Sequence, residues 1–195
     1  MSVKLKIAEP DGIYFIPITC FKWLPLFNIA DSYDAVYKWF QYLKLNNHFI
    51  TGYVIMPNHL HVLIAFSNTG KNINKIICNG NRFMAYDIVA KLKEKENENI
   101  LNQLLAGVNP SDKKRGKLHE VFEVSFDIKE CYSLEFIKQK LNYIHFNPYT
   151  GKWNLADMPE SYVHSSAAFY GNGVQGIFPV DNIMDIMEID LSKRI

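Results

Sequence analysis

The chain is poor in cysteine, in net charge and in long apolar runs, and each shortage excludes a class of protein. Its only cysteines are Cys20, Cys78 and Cys131, an odd, widely spaced set with no Cys-x-x-Cys pair. That argues against a disulfide framework or a thiolate zinc site and fits reduced thiols in a cytosol. The 21 Lys and Arg against 20 Asp and Glu leave +1, too little to hold nucleic acid by bulk charge alone. No apolar stretch approaches the roughly 18 residues of a membrane helix. Glu9, Pro10 and Asp11 interrupt the basic start before any apolar signal core. Internal repeats and low-complexity linkers are absent. What is plentiful is apolar and aromatic material, 48% and 14% of the 195 residues, enough for a dense core. One domain over residues 1–195 is expected, soluble, cytoplasmic and without a membrane partner.

Gly12 to Phe21 is apolar and β-branched and reads as a strand, with Pro17 pointing to an edge or a bulge. Asp31-Ser32 caps a helix over Tyr33 to Leu45 that Asn46-Asn47 stops. His48 to Met56 and His59 to Phe66 read as a hairpin turned at Pro57-Asn58. Residues 71–105 read as helical with an interruption at Gly80, and Asn109 to Gly116 as a loop. His119 to Ile128 resembles a further strand. Ser133 caps a helix ended by Pro148, residues 162–170 are ordered, and Val180 to Asp190 holds a short helix. This order predicts an α+β domain, helices packed on a largely antiparallel sheet. Ten basic against five acidic residues between 71 and 117 give that stretch +5 and leave the rest at −4.

Two clusters carry chemistry. On a strand, residues two apart share a face, so His59 and His61 project together while Leu60 enters the core. Two imidazoles on one face are either most of a divalent-metal site or a pair of satisfied histidines. In the late helix, Leu134, Ile137, Leu141 and Ile144 form the apolar stripe, and Tyr143 falls about 140° from it. Asn147, one turn on, shares the face of Tyr143. This is either a phenol and an amide presented together or a half-exposed Tyr with an Asn cap. Tyrosine-mediated phosphodiester cleavage needs a phenol nucleophile and a divalent ion with open positions, and the two clusters together contain both requirements.

Tyr53-Val-Ile-Met-Pro-Asn-His-Leu-His-Val-Leu-Ile64 resembles the His-hydrophobic-His signature of single-tyrosine HUH transposases, in the branch of REP-associated tyrosine transposases. Tyr143-Ile-His-Phe-Asn-Pro148 resembles that branch's tyrosine helix, and Tyr162-Val-His-Ser-Ser-Ala-Ala-Phe-Tyr170 its Ser-Ser segment. The resemblance covers residues 10–170 and leaves 171–195 as a C-terminal extension. It implies a ferredoxin-like HUH endonuclease fold, a central antiparallel sheet flanked by helices. It further implies His59, His61 and Asn147 as ligands of Mg²⁺ or Mn²⁺, and Tyr143 as the nucleophile. The implied activity is nicking and rejoining of single-stranded or hairpin DNA through a 5′-phosphotyrosine, with a homodimer possible. The chain departs from the pattern in its near-neutral charge and in the acids of Val121 to Asp127.

The basic run Lys113, Lys114, Arg115 and Lys117 is either a DNA-contacting tip or a solvated loop. Lys138 and Lys140 read as a solvated face, with contact to phosphate the alternative. His48, His119, His145 and His164 read as structural, Asn58 as a turn former, and Trp23, Trp39 and Trp153 as core, with stacking on a base open only to one that is exposed. Two other readings compete. One is a domesticated protein that binds hairpins without cutting them. The other is a nucleotide hydrolase, which the Leu at position 63 disfavours because a histidine-triad pattern places a further histidine there.

Overall fold

A computed structural model describes residues 7–124, 127–150 and 153–194. In chain order it contains β1 (Gly12–Thr19), a 3₁₀ turn (Phe21–Trp23), α1 (Leu26–Ala30), α2 (Tyr33–Leu45), β2 (Phe49–Met56) and β3 (His59–Phe66). There follow α3 (Ile73–Glu94), α4 (Glu98–Ala106), α5 (Pro110–Lys113), β4 (Lys129–Glu130) and α6 (Leu134–Phe146). A second 3₁₀ turn (Pro159–Ser161), α7 (Ala167–Asn172) and α8 (Ile183–Ile186) complete it. The strands form one antiparallel sheet in the order β2-β3-β1-β4. No helix among the described residues is long and apolar enough to cross a membrane.

β3 lies in the middle, and all eight of its residues are buried. Its alternation divides the core. Leu60, Val62 and Ile64 join Trp39, Phe40, Ile76 and Met84 of α2 and α3 in one cluster. Leu63 and Ala65 face the other way, into a second cluster with Phe15, Val54, Ile137, Leu141 and Ile144. The sheet therefore carries helices on both faces, and the odd-numbered residues of β3 look toward α6. Ile183 and Ile186 of α8 close the second cluster.

Two glycines set how closely the helices approach. Any Cβ at Gly52 would collide with Leu141 of α6, and any at Gly80 with the Trp39 indole. Gly80 therefore does not interrupt α3 as its sequence suggests. It lies inside a continuous helix because α2 packs against it, and the break comes at residues 95–97, where Glu96 has φ 53°. A second correction concerns residues 119–128. They do not form a strand: they make an isolated bridge, Cys20 to Phe122, and β4 begins only at Lys129. The pattern there is strand-like, but the chain spends its backbone bonds on the turn after β1 (Phe21 N to Val121 O, Glu123 N to Thr19 O). Residues 125–126 of that stretch lie outside the described residues. Pro17 falls beyond the two residues, Tyr14 and Phe15, that β4 pairs, where its missing N–H interrupts no β4 ladder.

Candidate metal and nucleophile site

The site is built on β3 and α6. His59 and His61 share the α6 face of β3 with ring centroids 4.6 Å apart. Both are buried, and burial pushes their pKa values down, to about 4 for His59 and about 3 for His61. The rings are thus neutral at ordinary pH and offer lone pairs.

The preceding residue fixes one tautomer. Asn58 Nδ2 donates to the Trp23 carbonyl, 3.3 Å away, so its Oδ1 is the atom 2.7 Å from His59 Nδ1. An amide oxygen only accepts, so His59 carries its proton on Nδ1 and keeps a lone pair on Nε2. This is the outer-sphere arrangement that orients metal-binding histidines.

The tyrosine helix starts at Ser133, whose hydroxyl accepts from Phe136 N. It buries Ile137, Leu141 and Ile144 against the sheet, with Leu141 over Gly52. His145 holds the opposite side through Ser166: its Nε2 lies 2.9 Å from the Ser166 hydroxyl, which also accepts from Tyr53 N. The 164–166 segment runs along the outer edge of β2, with Ile55 N donating to His164 O and Ser166 N to Tyr53 O. The Ser-Ser motif therefore clamps α6 to the sheet.

So held, α6 brings Tyr143 and Asn147 to the histidines. The Tyr143 ring is 5.1 Å from that of His61 and 6.0 Å from Phe15, and it is about half exposed. Asn147 Nδ2 lies 3.4 Å from His61 Nδ1. The Asn147 side chain also bonds His59 in the sense that raises its pKa. Asn147 therefore lies against both imidazoles, and its amide oxygen and the free Nε2 of His59 are the kinds of donor that could hold a cation. Among the described residues no group of three His, Cys, Asp or Glu gathers to hold a metal. The donor set that fits is two imidazoles and one amide oxygen, all neutral, leaving further positions for water or phosphate.

Sequence reasoning placed Tyr143, His59, His61 and Asn147, and the structure brings these four together. It does not bring Lys113, Lys114, Arg115 or Lys117 to them. That run begins at the last residue of α5 and continues past it beside α3, on the other layer, where Arg115 pairs with Asp112 and Lys117 with Glu120. Three neighbours lie closer to the site than the sequence favours. Asn58 is an orienting residue rather than only a turn former. Lys140 is half-buried with its Nζ over the rings of Phe15 (4.8 Å), Phe136 (5.0 Å) and Tyr143 (6.0 Å), and it has no carboxylate partner among the described residues. Trp23 is not core: it is 58% exposed and stands edge-on to His59 at 5.6 Å. The i, i+3 spacing from Lys140 to Tyr143 was the available signal; the other two had none.

A four-stranded antiparallel sheet between helical layers, with the histidine pair on one of its two inner strands, is the α+β arrangement expected from the sequence. A solved REP-associated tyrosine transposase bound to a REP hairpin is similar, with a TM-score of 0.58 over 100% of this chain and 99% of that one, at 13% sequence identity. No protein-family model and no curated protein matches the chain.

Proposed function

We propose that this protein nicks and rejoins single-stranded DNA beside a hairpin, through a covalent bond between Tyr143 and the 5′-phosphate. The observation that carries this reading is the convergence of a half-exposed phenol, two neutral imidazoles and an amide from two distant parts of the chain. The shared fold with a transposase seen on hairpin DNA supports the substrate class.

His59 Nε2, His61 and the Asn147 oxygen would hold a divalent ion, which supplies Lewis-acid polarisation of the scissile phosphate. The Tyr143 oxygen forms a bond to phosphorus as the bond to O3′ breaks. The phenol gives up its proton, and the departing O3′ takes one up. The Lys140 ammonium, over the rings of Phe15, Phe136 and Tyr143, would bring a positive charge toward the phosphate. Reversal of the same step by a 3′-hydroxyl rejoins the strand. Mixed imidazole and amide ligation suits Mn²⁺ better than Mg²⁺, which prefers carboxylates and water.

The test is incubation with a hairpin oligonucleotide carrying single-stranded flanks, with Mn²⁺ or with chelator. The expected result is a metal-dependent adduct and a free 3′-hydroxyl strand, both lost in Tyr143→Phe. Binding without any cleavage in Mn²⁺ would replace this reading with that of a hairpin-binding protein.

A further inference from the structure

The turn after β1 holds an exposed tryptophan in an unusual backbone. Lys22 and Trp23 both have positive φ, 49° and 57°, a conformation that costs a non-glycine residue free energy and persists only where its surroundings enforce it. Here they do. Trp23 N donates to Cys20 O at 2.9 Å, Lys22 N to the Glu123 carboxylate at 2.7 Å, and Asn58 Nδ2 to Trp23 O. Cys20 N in turn donates to Asn58 O. The outcome is a rigid backbone that carries a large indole outward instead of burying it. Asn58 ties that backbone directly to His59, so Trp23 and the histidine pair form one unit.

The order of side chains across the site is Trp23, His59, His61, Tyr143, with neighbouring ring centroids 5.6, 4.6 and 5.1 Å apart. In this chain of contacts the histidine pair comes between Tyr143 and Trp23. In an in-line displacement the attacking and leaving oxygens lie on opposite sides of phosphorus. With Tyr143 attacking, O3′ and its nucleoside leave toward Trp23. An exposed indole is a stacking platform for any base.

We infer that Trp23 stacks on the base of the nucleotide 5′ to the break, the one that carries the new 3′-hydroxyl. The polarity rests on the reading of Tyr143 as nucleophile. The role of Trp23 is to keep the released 3′ end beside the phosphotyrosine, where rejoining needs it. Trp23 is in this sense a positioning residue on the leaving side, and the phenol is not required for the stack itself.

The test uses two short single-stranded oligonucleotides with 2-aminopurine at the 3′-terminal or the 5′-terminal nucleotide. Neither has to be cut, so the measurement is separate from whether Tyr143 forms an adduct. On binding to the intact protein, the 3′-terminal probe should lose emission. Trp23→Ala and Trp23→Leu should restore it and weaken binding about tenfold, while Trp23→Phe, which keeps a ring, stays near the parent. The 5′-terminal probe should be indifferent to all three variants. Quenching of the 3′ probe that persists in Trp23→Ala, or weakening in Trp23→Leu that Trp23→Phe shares, overturns the inference. So does a Trp23-dependent signal confined to the 5′ probe. Thermal melting of each variant separates loss of the indole from loss of the fold.

Discussion

Asn58 Oδ1 accepts the Nδ1 proton of His59 at 2.7 Å, and that bond decides which nitrogen of His59 is free. Without it the ring is able to tautomerise or turn. Asn58→Ala should lower Mn²⁺ affinity about tenfold, measured by calorimetric titration, with little change in helical content. Equal affinity in the variant would mean that His59 is oriented by something else.

The proposed metal set has no carboxylate, which determines how the ions should rank. Chelation should abolish cleavage, and Mn²⁺ should restore it at a lower concentration than Mg²⁺. Titrating each ion back into chelated protein and following the nicked strand checks this. A preference for Mg²⁺ would argue that further oxygen ligands complete the site.

Gly52 is where β2 lets α6 come close, through Leu141. A methyl there must push Leu141 and the helix outward. Gly52→Ala should cost about 1–3 kcal/mol of stability by overpacking, read by denaturant unfolding. Cleavage should fall further than the unfolded fraction explains, because Tyr143 lies half a turn beyond Leu141. Unchanged stability would show that the helix seat is looser than the contact implies.

His48 provides a pH-dependent element away from the site. It is buried edge-on to Phe66, neither ring nitrogen has a hydrogen-bond partner among the described residues, and burial pushes its pKa down to about 4. An unfolded histidine titrates near 6.5, so between the two values the unfolded chain binds the extra proton. Stability is then fully present above about pH 6.5 and falls as the pH drops toward 4, by on the order of 2–3 kcal/mol from this residue. His48→Phe should flatten that part of a stability–pH curve and leave stability at pH 7 equal or higher. A variant with the parent's slope would remove His48 as its source.

Regular elements with a complete local signal were legible in the sequence. β3 is an uninterrupted apolar run beyond His59-Leu60-His61, so it reads as a buried strand and the shared face of the two histidines follows from their spacing of two. α2 has both its apolar period and its Asn46-Asn47 stop. The misread elements are those whose outcome depends on a distant partner. Gly80 resembles a break until Trp39 is seen against it, and residues 119–128 resemble a strand until the turn after β1 takes their backbone bonds. At the site, the face shared by Tyr143 and Asn147 was readable from helical spacing. The meeting of Asn147 with His61 joins residues 86 apart, and no local pattern contains that. Trp23 reads as core when only its indole is considered, whereas a left-handed backbone held by Asn58 and Glu123 turns it outward.

The most direct test of the convergence is to locate the covalent bond. After reaction with a hairpin oligonucleotide in Mn²⁺, tryptic peptides carrying a residual nucleotide are sequenced by mass spectrometry. The account predicts one modified peptide, with the nucleotide on Tyr143 rather than on nearby Tyr149, and its disappearance in His61→Ala as well as in Tyr143→Phe. A nucleotide on another residue, or a Tyr143 adduct that forms equally well without His61, would contradict it.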